Sequence, residues 1–410
     1  MGKWSGWVIL VVSSKSKLAL IEEGLFYLIR LALGASCDSC SSFKIETAEE
    51  WFLLYSLATK VSMVGVAYAG VCKLPKDRQP PLELVFEWAS EAEAIRGHNR
   101  KVNAEAARLT ELFASQGRRS AILKGAANAR LYSDPFIRQC GDIDIWVDGG
   151  RESVIALLQN LNLIDSSNPQ SKCGKKTYEE CYAEAKRKLA VSEHHVHLKR
   201  TAAAVPVEVH FKPSSGNVNP FTNKRLMMFL ERAIEDVELV PEKFYVPSLK
   251  FALAMQFSHI QRHFIQGGIG FKQVLDYYVL LQHATEDERS EFSQNLKRFG
   301  FSRMAGALMW VLGHVFGLER EQMLCPPNER FGRRILKIII TDGNFGIHSW
   351  FHSKSAVTRW VGFRWRSLML CSFSFVEVFW SELSWWQDFL RTLPIRIRLR
   401  KLSIRDLFKS

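Results

Sequence analysis

LKGAANARLYSDPFIRQCGDIDIWVD, residues 123–148, is the stretch on which the reading of the whole chain turns. Its last third, DIDIWV (142–147), alternates polar and apolar residues almost without a break. Successive side chains of a strand point to opposite faces, so Asp142, Asp144 and Trp146 share one face and Ile143, Ile145 and Val147 the other. The branched aliphatic face suits packing on a core. The opposite face would hold two carboxylates side by side, which like-charge repulsion disfavours unless a cation lies between them.

Upstream, AIL (121–123) reads as a short strand and KGAANARLY as the start of a turn or helix. A glycine at such a turn lets a ligand approach the backbone closely, and a helix start presents unpaired N–H groups to phosphate. Lys124 and Arg138 would add positive charge against a triphosphate, Arg138 through a fork of donors. Taken singly, each of these cations suits a solvated helix start equally well. Downstream, HHVHLKR (194–200) and VPVEVHF (205–211) read as a hairpin. In the second strand Val207, Val209 and Phe211 share one face, Glu208 and His210 the other.

If that strand neighbours 142–147, Glu208 becomes a third carboxylate beside Asp142 and Asp144. Three carboxylates on rigid strands suit Mg²⁺ (or Mn²⁺) rather than Zn²⁺. A pair of such ions about 4 Å apart would stabilise the attacking and leaving oxygens of an in-line phosphoryl displacement. The plainer alternative is three acids solvating the outer face of a half-exposed sheet. The glycine turn, the preceding arginine and the matching acidic strand together favour a site.

These residues resemble the nucleotidyltransferase superfamily that includes DNA polymerase beta, and more closely its uncharacterised bacterial branch. That branch carries LKG, then a Tyr, an Arg shortly before DID, and later a vEvH strand. Here they are Leu123-Lys124-Gly125, Tyr132, Arg138, Asp142-Ile143-Asp144 and Glu208-Val209-His210. HIQRHF…GIGFKQVLDYYVLL (259–281) also looks like the branch's C-terminal helices. The resemblance spans roughly 45–345. It implies an α+β fold, a mixed-sheet nucleotidyltransferase core flanked by N-terminal and C-terminal helical segments. It further implies that Asp142, Asp144 and Glu208 hold the metal and that Lys124, Gly125 and Arg138 position the nucleotide. The superfamily's usual turn is Gly followed by Gly or Ser, whereas Ala126 follows Gly125 here and supplies no hydroxyl to phosphate.

The rest of the chain frames this core. Of 410 residues 47% are hydrophobic and 24% charged, which excludes a disordered or fibrous chain. Eight dispersed cysteines do not form a disulfide framework, and point to reduced thiols in a cytoplasmic protein. No apolar run reaches the ~18 residues of a spanning helix, and WSGWVILVV (4–12) lacks a signal-cleavage pattern and reads as an upstream extension. Apolar residues at three- and four-residue steps over 17–33 and 46–72 predict core-facing helices. The Pro-rich LPKDRQPP (74–81) breaks the pattern before a long helix from Leu82 to about Gln116. The expected organisation is a helical region over 1–115, the α/β core over 116–245, a second helical region over 246–343 and an aromatic, basic tail over 344–410.

That tail carries 11 Lys/Arg against four Asp/Glu, with six of the 12 tryptophans. It accounts for about half of the chain's formal charge of +13, and an anionic partner suits it. Nucleic acid, a membrane surface or simple packing would each use such residues.

Four other patterns read as structural. His259 and His263, at i,i+4, lack the Glu of H-E-x-x-H. His195 and His197 share one strand face, which could bind a metal but reads better as a polar strand face near the pocket. Cys37 and Cys40 form a lone CxxC. GGIG (267–270) follows no strand and suits a helix crossing, after which Lys272 and Asp276 are spaced to pair.

The expected activity is transfer of an NMP group from an NTP, ATP being the expected donor, to an unidentified hydroxyl acceptor, releasing pyrophosphate. Two alternatives stand beside it. One is a non-enzymatic scaffold or nucleic-acid-binding protein that keeps a degenerate form of the fold. The other is a histidine-ligated metallohydrolase.

Overall fold

The computed structural model describes residues 15–35, 43–164, 194–199, 204–343 and 356–398. TYEECYAEAKRKL (177–189), whose sequence reads as a helix, the Cys37–Cys40 pair and residues 4–12 lie outside them. The chain opens with α1 (Lys15–Ala32), α2 (Ala48–Lys60) and α3 (Val64–Val71). A Thr47–Glu50 capping box, each side chain bonded to the other's backbone, starts α2. The periodic stretch 46–72 is two helices rather than one, because Ser62 adopts a left-handed φ of 58° between them. The Pro-rich break follows, and α4 (Leu82–Ser115) runs for 34 residues.

The core then assembles from β1 (Ser120–Ile122), the single turn α5 (Ala126–Ala129), β2 (Ile143–Val147), α6 (Gly150–Asn160), β3 (His195–His197) and β4 (Val207–His210). Strand order is β1-β2-β4-β3. The outer pairs are antiparallel, while β2 and β4 are parallel, with Asp144 opposite Glu208. The protein is thus an α+β fold with a small mixed sheet and helical segments at both ends.

The alternation read in 142–147 is what the sheet uses. Ile143, Ile145, Val147, Val207 and Val209 cover Val102, Leu109 and Phe113 of α4 and Val154 and Leu158 of α6. Each such side chain removed from water stabilises the sheet by about 1.5–3 kcal/mol. Trp146 faces the other way, into a second and larger core.

That larger core is built by both ends of the chain. After α7 (Pro220–Ala233) and the hairpin β5 (Val237–Leu239) and β6 (Tyr245–Pro247) come α8 (Leu249–Gln266), α9 (Phe271–His283), α10 (Glu286–Asn295), α11 (Ser302–Val311) and α12 (Glu329–Asp342). Phe26 and Leu28 of α1 and Val66 of α3 pack with Phe257, Phe271, Leu308 and Ile335 from these helices. GGIG forms the turn between α8 and α9, as expected; Gly268, at φ +128°, takes a conformation closed to other residues.

The described part of the aromatic tail is α13 (Ala356–Arg398), broken at Ser374, whose backbone is extended. Arg364 pairs with Glu382. Along a straight helix those residues would stand about 27 Å apart, so the two halves fold back on each other. Leu370 and Phe373 are buried against the body, and Arg366 donates to the Phe264 carbonyl at 2.7 Å. Trp365, Leu368 and Phe375 remain exposed. No helix among the described residues is long and apolar enough to cross a membrane.

Candidate active site

A cavity of about 330 Å³ separates the polar face of the sheet from α8 and α9, a size within the range of small-ligand sites. Its floor carries Asp142 and Asp144 from β2 and the residue before it, and Glu208 and His210 from β4. Lys124 and Gly125 enter from the β1–α5 turn, where Gly125 holds φ +65°. This conformation strains any residue with a Cβ, which explains a glycine there. Gln256, His259 and His263 come from α8, and Lys272, Gln273 and Asp276 from α9.

All six residues expected at the site therefore line one cavity, although they are not equivalent. Asp144 is 1% exposed. Its Oδ2 lies 3.2 Å from the Lys124 ammonium and its Oδ1 3.0 Å from His210 Nε2. His210 Nε2 also stands 3.5 Å from Glu208 Oε2. The ligand atoms of Asp144, Glu208 and His210 fall within 4.8 Å of one another. Asp142 is half-buried and lines the same cavity outside that tight group.

The electrostatics follow from the geometry. Burial opposes ionisation of Asp144, but Lys124 and His210 hold its carboxyl far below the usual range. Burial works equally against charge on Lys124, yet Asp144, Asp142 and Glu208 keep its ammonium more strongly protonated than usual. For Asp142, burial and then the Asp144 charge push the carboxyl up. Glu208 goes down despite burial, through the His210 hydrogen bond. Three acids thus crowd one floor, two of them kept ionised by cationic or donor neighbours. Such a floor attracts a cation.

Arg138 is 5% exposed and committed elsewhere. Its Nε and one terminal nitrogen each donate at 2.7 Å to a different oxygen of Asp276. Tyr132 Oη donates to the same carboxylate at 2.8 Å. The expected Lys272–Asp276 pair is therefore replaced: Asp276 goes to Arg138, and Lys272 Nζ reaches the Gln139 carbonyl at 3.4 Å. A planar guanidinium matches a carboxylate at two points and an ammonium at one, which favours the exchange. Asn99 of α4 donates to the Phe136 and Arg138 carbonyls and fixes the segment that carries Arg138.

Sequence reasoning left Lys272 and the α8 wall unused. Burial, then Arg138, lowers the Lys272 pKa. His259 is buried and held neutral by burial and then by Lys124, while the same causes bring His263 to about 4. Buried oxygens of Gln256 and Gln273 and Nε2 of His259 have no hydrogen-bond partner among the described residues. The signal for these residues was present: Gln256, His259 and His263 recur at i, i+3 and i+7, polar residues on one face of the helix.

A mixed sheet with paired acids from two parallel strands, a glycine turn with a lysine, and a closing helical wall define a nucleotidyltransferase-type α+β protein. Residues 47–317 match the family model described as uncharacterised nucleotidyltransferase, and the chain belongs to that family. A search of the curated proteins finds no match. Membership makes the protein a transferase of the nucleotidyl class, and such enzymes generally use divalent metals.

Proposed function

We propose that the protein moves a nucleoside monophosphate from a nucleoside triphosphate, ATP by expectation, to an acceptor hydroxyl. The acceptor oxygen bonds to the α-phosphorus, the bond from that phosphorus to the bridging oxygen breaks, and pyrophosphate leaves. The single observation that carries this reading is the parallel register of Asp144 with Glu208 on the cavity floor. It brings together acids 64 residues apart in the chain beside a lysine, where family membership alone requires only a fold.

The donor set fits a hard divalent cation: carboxylates on rigid strands, already drawing an ammonium to Asp144. Asp142, Asp144 and Glu208 would hold Mg²⁺ or Mn²⁺, which when bound neutralises phosphate charge. Lys124 sits where it can release Asp144 and turn to the triphosphate. Gly125 leaves backbone open to close approach, and Arg138, its charge already met by Asp276, holds the wall in place. Glu208, kept ionised by His210, would take the proton that leaves the acceptor hydroxyl.

Calorimetric titration of Mg²⁺–ATP into wild type and Asp144→Ala tests this. Wild type is expected to bind only with the metal, and the variant to lose that binding. Pyrophosphate release in the variant should fall on the order of 10²–10³-fold. Equal metal-dependent binding by both proteins would overturn the assignment.

A further inference from the structure

Two histidines at the edge of the sheet take no part in this chemistry. His195 and His197 lie two residues apart in β3 and therefore on one face. Antiparallel pairing sets His197 opposite Glu208 and His195 opposite His210. This is the face that bears Asp144. His195 Nδ1 is 3.8 Å from one Glu208 oxygen and His197 Nδ1 is 3.7 Å from the other. One ligand atom from each of the three residues falls within 4.8 Å of the other two.

The spacing can be compared with what an ion requires. Around four-coordinate zinc, with bonds of about 2.0–2.1 Å, ligand atoms stand roughly 3.3 Å apart. The two imidazoles approach different oxygens of Glu208, at 3.8 and 3.7 Å, and one ligand atom from each residue lies within 4.8 Å of the other two, so side-chain rotation has to draw the three donors together. A backbone shift is not needed, because strand pairing already presents the three groups together. The donors are two imidazoles and one carboxylate, a set that favours borderline first-row dications over Mg²⁺. His210 Nε2, 3.5 Å from Glu208, steadies the carboxylate from behind. Glu208 and His195 line the cavity, whereas the His197 side chain is 57% exposed, so the ion would sit at the rim with an open side.

We infer that His195, His197 and Glu208 form a rim site for a transition-metal dication, zinc by its donor set, next to the oxygen-rich floor around Asp144. Glu208 then serves both positions, and an ion at the rim fixes the carboxylate that the floor also uses. The inference stands on the ligand geometry and does not require nucleotidyl transfer.

The test uses the full chain, stripped by chelator and equilibrated by dialysis with Zn²⁺ alone. One zinc per chain is expected, retained against a hundredfold excess of Mg²⁺. The double variant His195→Ala/His197→Ala should bind at least tenfold more weakly, and Asp144→Asn should bind as wild type does. His197→Ala alone changes an exposed side chain, so it separates loss of a ligand from loss of the fold. In it the visible d–d absorption of bound Co²⁺ should weaken or vanish. No zinc bound by wild type, or full binding by the double histidine variant, would overturn the assignment. So would equal loss in Asp144→Asn, which would place the ion on the acidic floor. With nucleotide absent, none of these outcomes bears on Mg²⁺–ATP binding, and failure of that binding leaves these outcomes intact.

Discussion

Asp144 and Asp276 face the same cavity, and each side chain is about 1% exposed, yet their surroundings are built in opposite ways. Asp276 has one fixed answer to its charge, a bidentate guanidinium completed by a tyrosine hydroxyl. Asp144 has a flexible lysine, an imidazole shared with Glu208, and a third acid close by. The first cluster joins α9 to the segment before β2 and leaves no carboxylate oxygen without a donor. The second crowds like charges that a well-packed apolar floor would avoid. A closed pair of this kind supports structure, while an over-acidic, adjustable one suits an exchangeable cation.

The largest effect that separates them is on stability. Asp276→Ala strands Arg138 in the interior and should cost about 3–5 kcal/mol in chemical denaturation. Asp144→Asn should change stability far less, because Lys124 can turn to Asp142 and Glu208. Comparable losses in the two variants would remove the distinction. Tyr132→Phe sharpens it on a smaller scale, removing one hydrogen bond to the Asp276 carboxylate for about 1.5–3 kcal/mol, with metal-dependent nucleotide binding intact.

The smallest effect is in pH dependence. Despite burial, Asp144 and Glu208 raise the His210 pKa above its ordinary 6.5. The folded form therefore keeps this proton to higher pH than the unfolded chain, and the stabilisation is complete below 6.5. It is lost as pH rises through the folded-state value. Denaturation midpoints across pH 6 to 9 should show that decline in wild type, and His210→Gln should not. Arg138 contributes no slope there, since burial notwithstanding its pKa is held well above its already high ordinary value by Asp276.

Much of the floor was legible in the sequence because strand alternation has a period of two. Once Ile143 and Ile145 are assigned to the core, Asp142 and Asp144 must share the other face, and the same holds for Val207, Val209 and Glu208. The partner of Arg138 was not legible. Asp276 lies 138 residues away, and local spacing offered it Lys272 instead. Nor did periodicity show that the polar stripe of Gln256, His259 and His263 closes a cavity, since a helix pattern says which residues share a face and never what that face meets.

The sequence by itself thus determined the α+β class, the acidic strands, the glycine turn and the family's ordered motifs, since short-range geometry converts residue order into faces. Only the tertiary structure decided that Asp144 stands opposite Glu208, that Arg138 is consumed by Asp276, and that both chain ends share one core. Those outcomes depend on which distant surfaces bury each other, and burial is a property of the assembled chain.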